Sequence, residues 1–171
     1  MEEYLDIVDG DDKVIGCCTR KEAHSTGKRH RTVMFFVNSP DGKIMVTKRS
    51  HEKEFFPGYR SVVMGGHVPS GLSYEDALEK EALEEIGTFG EYSFLGRFSK
   101  DIPQEKENVC LFTITVDPKD VRLSEEEFDE GEFITVENML ELVDNSRDFL
   151  PETEQVLKLF MENQREKAKK I

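Results

Sequence analysis

Apolar positions follow two different rhythms along the chain. Short runs such as "TVMFFV", "KIMVTKR", "SVVM", "EYSFLGRF", "NVCLFTITV" and "GEFITV" are rich in β-branched and aromatic residues and read as strands. At the N-terminus two further β-prone runs flank Asp9-Gly10-Asp11-Asp12, which predicts a hairpin over about residues 3–19. A second hairpin is expected around Asn38 to Gly42, where Pro40 presets φ and Gly42 accepts a positive one. The polar stretch "RKEAHSTGKRHR" between these hairpins reads as a basic linker, and "KDIPQEKE" as a charged loop between two later strands.

Helical spacing appears in three places. Ser73 caps a segment in which Ala77, Leu78, Ala82 and Ile86 form one apolar stripe, Asp76 completes a capping box and Gly87 closes the end, so a helix is expected over about 74–86. Two more helical patterns follow, "VENMLELVD" and a C-terminal one over about 151–168, where Pro151 suits a first turn. Strands thus outnumber helices, and a hairpin precedes a strand, loop and helix unit, which predicts an α+β or α/β sandwich.

At 171 residues the chain fits a single domain over 1–171. Its formal net charge of -13 argues against general nucleic-acid binding, because phosphate affinity comes from Lys and Arg. A small anion then needs a local basic patch or a bound cation. Neither a membrane span nor a secretory leader is evident, so the expected location is cytoplasmic. The three cysteines, Cys17, Cys18 and Cys110, suit free buried thiols rather than a disulfide framework.

The chemistry concentrates on the helix after Gly65-Gly66. Glu81, Glu84 and Glu85 stand at i, i+3 and i+4 and so share one face, where like charges raise one another's pKa unless a cation sits among them. Oxygen-rich sites of this kind suit Mg²⁺ or Mn²⁺, the usual partners of substrate phosphates. A simpler reading is a solvated face on which Lys80 neutralises Glu84 at i+4. The glycine pair leaving a strand weighs for function, since a tight loop there presents backbone N–H groups to an anion.

From Gly66 through Leu72 to "KEALEEIG" this stretch resembles the Nudix box, residues 66–88, the signature of hydrolases of a diphosphate linked to another group. Gly66, Glu81, Ala82, Glu84, Glu85 and Gly87 match, whereas Leu72, Lys80 and Thr88 stand where the family has Glu, Arg and an apolar residue. The absent Glu and Arg commonly pair in that family, so both ends of one supporting ion pair have changed together. The resemblance, spanning roughly 3–165 with the "PGY" at Pro57 to Tyr59, implies a Nudix-type α/β/α sandwich with a mixed central sheet. It also implies Glu81, Glu84 and Glu85 as catalytic metal ligands for Mg²⁺ or Mn²⁺ on a small-molecule diphosphate.

"YLDIVDGDDKVIG", "AHSTGKRH" and "KEFFPGYRSVVMGGH" are similar to a subgroup, the isopentenyl-diphosphate isomerases and their hydrolase relatives. That likeness implies a second metal held by His24, His30 and His67 with carboxylates of a later strand; solvated surface histidines are the simpler reading of the first two. The isomerases use a Cys where this chain has Gly65, and the missing thiol favours hydrolysis; Cys110 resembles another cysteine they carry. Gly65, Gly66, His67, Arg49 and Arg60 are the expected substrate contacts, with Lys48 and the cluster Lys28, Arg29 and Arg31 as further cations. Phe35, Phe55, Phe56 and Tyr59 are open to stacking on a base or to serving as core. Glu84, Glu85, Glu105 and Glu107 are the candidate general bases. Isomerisation of a five-carbon diphosphate and non-catalytic diphosphate binding stay as alternatives, and a homodimer is left open.

Overall fold

The computed structural model describes residues 2–102 and 105–169. The N-terminal hairpin is β1 (Tyr4–Val8) and β2 (Val14–Thr19), and the Asp9 carboxylate closes its turn by accepting from the Asp11 and Lys13 backbone N–H groups, each at 2.9 Å. The expected basic linker is instead a short helix, α1 (Arg20–Thr26), followed directly by β3 (His30–Asn38). Thr19 caps α1 by accepting from the Glu22 N–H at 3.2 Å, and Gly27 ends it in the left-handed region at φ 63°.

The second expected hairpin exists only at its root. β3 and β4 (Ile44–Arg49) pair at Asn38 and Ile44 and then diverge, because each finds other neighbours. β4 runs antiparallel to β5 (Arg60–Ser61) and to β9 (Phe128–Ile134). β3 is flanked by β6 (Met64–His67), antiparallel, and by β8 (Glu105–Thr115), parallel; β7 (Glu91–Ile102) lies antiparallel to β8. β6 runs on through the glycine pair to His67, so Gly65 and Gly66 belong to a strand rather than to a tight loop. The charged loop expected between β7 and β8 is mostly strand as well, with Lys100 opposite Glu107; Pro103 and Gln104 fall outside the described residues.

Side-chain alternation divides the core into two layers. Val33, Phe35 and Val37 of β3, with Cys110, Phe112 and Ile114 of β8, face the helix α2 (Tyr74–Ile86). Met34 and Phe36, with Val109 and Leu111, face α3 (Val136–Asn145) and α4 (Thr153–Lys169), where Phe36 and Phe160 meet at 4.8 Å between centroids. Helices on both faces of a mixed sheet make the expected α/β/α sandwich. Phe35 is wholly buried and so belongs to the core, whereas Cys17 is exposed, contrary to the expectation of three buried thiols.

The helix that carries the acidic residues matches its expected limits, because its local signals agree. Ser73 Oγ accepts from the Asp76 N–H at 3.0 Å and the Asp76 carboxylate accepts from the Ser73 N–H at 3.3 Å, while Ala77, Leu78, Ala82 and Ile86 are wholly buried. Replacing Ser73 by Ala removes a capping acceptor at a solvent-facing end. The expected loss is about 1 kcal/mol of stability, read from the midpoint of urea unfolding at unchanged slope.

Candidate functional site

A cleft of about 660 Å³ opens over one end of β3 and β6. Its wall on one side is α2, which brings Glu81, Glu84 and Glu85; on the other, β7 and β8 bring Lys100, Glu105 and Glu107. Gly65, Gly66 and His67 form the floor between them. Besides Lys80 and Lys100, three further cations enter from separate segments, Arg20 from the first residue of α1, Arg49 from the end of β4 and Lys53 from the following loop.

The three helix carboxylates are not equivalent. Glu85 is buried at 6% exposure, and its Oε2 has no hydrogen-bond partner. Burial raises its pKa well above the ordinary carboxylate value, the nearby Glu81 and Glu127 charges add to this, and the Gly65 backbone and Lys53 oppose it. Glu81 is shifted upward mainly by burial too, against the pull of Lys80. Glu84 is 60% exposed at the rim and pairs with Lys80 at 2.9 Å, as the simpler reading of the helix has it. Gly66 lies beneath the Glu81 carboxylate, and a Cβ there would displace that side-chain tip from its present place.

The three histidines converge, although they come from α1, from the first position of β3 and from the last of β6. Their rings stand 5.0 to 5.1 Å apart between centroids, and their candidate ligand atoms all lie within 4.8 Å of one another. His30 Nδ1 donates to the Lys28 carbonyl at 2.9 Å; burial opposes the charged ring, but Glu107, facing Nε2, and that carbonyl raise its pKa. That Nε2 is buried without a hydrogen-bond partner. Nε2 of His24 and Nε2 of His67 face each other at 3.1 Å.

Glu107 Oε1 stands 3.6 Å from His30 Nε2 and 3.8 Å from His67 Nε2, while Glu107 Oε2 is buried without a partner. Burial, with Arg20, His30 and His24 nearby, pushes His67 down to about 3 against the Glu107 charge, so its imidazole is neutral near pH 7. For Glu107, burial is outweighed by His30, Lys100 and His67, which hold it below the ordinary range. Three imidazoles set beside a carboxylate fit a borderline divalent ion. Among the described residues this is the one group of three or more His, Cys, Asp or Glu with ligand atoms so close together.

The structure does not bring every expected contact to the cleft. Arg60 lies in a different groove with Lys48, Glu130 and Leu142, and it donates to Ser146 Oγ and Asp148 Oδ1, each at 3.3 Å. Its strand neighbour Lys48 pairs with Glu130 at 3.5 Å. The basic cluster is consumed structurally: Lys28 pairs with Glu22, Arg29 with Asp101, and Arg31 with Asp12. Arg20 and Lys53 were not among the expected contacts. Arg20 stands four residues before His24, one helical turn away, which is the signal that could have found it.

A NUDIX domain profile matches residues 28–153, and the chain belongs to that family. It is 30% identical over 164 residues to an uncharacterized Nudix hydrolase of Pseudomonas aeruginosa, covering 94% of each chain. It is 42% identical over 89 residues to another from Streptomyces coelicolor, covering 52% of this chain and 49% of the relative. The chain spans about half the length of several curated relatives that it matches. A crystal structure of a Deinococcus radiodurans protein superposes with a TM-score of 0.75 at 25% identity, over 92% of this chain and 99% of that one.

Proposed function

We propose that this chain is a divalent-metal-dependent hydrolase of a small organic diphosphate, such as a nucleoside diphosphate linked to another moiety. The observation that carries the reading is one cleft lined both by carboxylates with buried oxygens that lack partners, Glu85 Oε2 and Glu107 Oε2, and by Arg20, Arg49 and Lys53 from separate segments. Donors of this kind fit hard divalent ions on the helix side and a softer borderline ion on the histidine side. Glu81, Glu84 and Glu85 would hold Mg²⁺ or Mn²⁺, and His24, His30 and His67 with Glu107 a second ion. A bound divalent ion supplies charge neutralisation on phosphate oxygens and a more acidic water.

The chain's own residues do the rest. Arg49 donates from Nε and Nη2 to the Phe55 carbonyl, each at 3.3 Å, and can exchange that neutral acceptor for a phosphate oxygen. Arg20 and Lys53, now paired with Glu3 and Glu127, complete the anion-facing rim. Glu84 at the rim and Glu105 on the opposite wall are the carboxylates offered as acceptors for the proton of the attacking water. The histidine cluster fits the likeness to the isomerases, but Gly65, in place of their cysteine, favours hydrolysis.

The test is a panel of organic diphosphates, five-carbon ones included, incubated with Mg²⁺ or Mn²⁺ and read by product mass and NMR. Hydrolysis predicts two fragments, each keeping one phosphate, whose masses sum to the substrate plus one water. An unchanged mass with a migrated double bond would establish the isomerase instead, and ligand-raised melting without turnover would leave only binding.

A further inference from the structure

Leu72 stands where the family has a glutamate, and it packs against the buried layer under α2, leaving no carboxylate at that position for the helix cation to pair with. Lys80 therefore turns along its own helix. Its Nζ lies 3.1 Å from Glu81 Oε1 and 2.9 Å from Glu84 Oε2, so one ammonium spans two of the three carboxylates assigned to metal. The neighbouring Glu85 keeps a buried oxygen without a partner, and the cleft opens beside it.

We propose that Lys80 is a built-in counter-cation of the acidic helix, which a divalent ion must displace from Glu81 and Glu84 in order to bind. The inference rests on the reading of this helix as a metal site. It assigns Lys80 a role distinct from catalysis: it keeps the helix neutralised when no ion is bound and sets the ion affinity lower than the carboxylates alone would give. Two partly exposed ion pairs are each weak, so the effect is a tuning of affinity rather than a block.

Titration of Mn²⁺ followed by electron paramagnetic resonance tests this without any substrate. Lys80→Met is expected to bind Mn²⁺ roughly threefold to tenfold more tightly than the unaltered protein, the size expected from removing two such pairs. The gain should shrink when Glu81→Gln is added and vanish when Glu84→Gln is added as well, which confines the effect to the helix and separates it from Mn²⁺ held by the histidines. Lys80→Gln, which keeps a polar side chain, should give a gain of the same sign, and melting curves confirm that both variants are folded. If Glu81→Gln weakens binding but neither Lys80 variant strengthens it, the counter-cation role is overturned while the metal reading survives. If Glu81→Gln changes nothing in either background, both are overturned.

Discussion

Glu85→Gln is expected to lower turnover by about 10²- to 10³-fold, the scale seen when one preorganised electrostatic group is removed from a transition state. The same change is expected to raise the melting temperature of the metal-free protein. Glu85 is buried, its Oε2 has no partner, and burial has raised its pKa well above 4.5. For a carboxyl raised in the folded state, the penalty is absent below the unfolded pKa, grows as pH climbs toward the folded value, and is constant above it. A neutral amide of the same shape carries no such penalty at any pH, so the stability gain should shrink on acidification toward pH 4, where the unfolded group is also protonated. Measured together, kcat and metal-free melting at pH 7 and pH 4 decide the matter. Loss of activity with loss of stability would mean that Glu85 is a structural acceptor rather than a group held under strain for ion binding.

The parts of the fold that sequence made legible are those in which local signals agree. α2 has a capping box at Ser73, a left-handed Gly87 and a periodic apolar stripe, all pointing to one length. α1 lacked that agreement: seven residues, of which Ala23 alone is buried, show no stripe, and only the caps at Thr19 and Gly27 mark it. The strand ends of β7 and β8 were hidden because their inward positions carry charge. Lys100, Glu105 and Glu107 alternate toward the cleft, so inward positions that would be apolar in a structural strand are charged here.

The site divides in the same way. Glu81, Glu84, Glu85, Gly66 and His67 were readable from spacing and resemblance, because one helix and one strand place them. Bringing His24, His30 and His67 together depends instead on tertiary pairing, with His30 opposite Ile7 and next to Glu107 across the parallel ladder, and Thr32 opposite His67. Arg49 and Arg60 look equivalent in sequence, yet the turn between them sends the first into the cleft and the second to Asp148. Only the strand register separates them.

Gly65→Cys, which installs the thiol of the isomerase pattern, is expected to destabilise the protein by about 3 kcal/mol or more and to confer no isomerase activity. Gly65 has φ 146°, a backbone region open to glycine and strained for other residues. A Cβ placed there would lie 2.0 Å from the Val33 carbonyl oxygen and 2.9 Å from its carbon, contacts with backbone that a rotamer change does not relieve. Val33 belongs to the central strand, and Gly66 is its antiparallel partner, so relief requires β6 to move away from β3. That movement would carry Gly66 and His67 with it, disturbing the floor under Glu81 and the histidine cluster together. Urea unfolding gives the stability change, and NMR of a five-carbon diphosphate incubated with the variant gives the chemistry. A stable variant that migrates the double bond would show that the strand accommodates a side chain at this position, and the argument from Gly65 against isomerisation would fall.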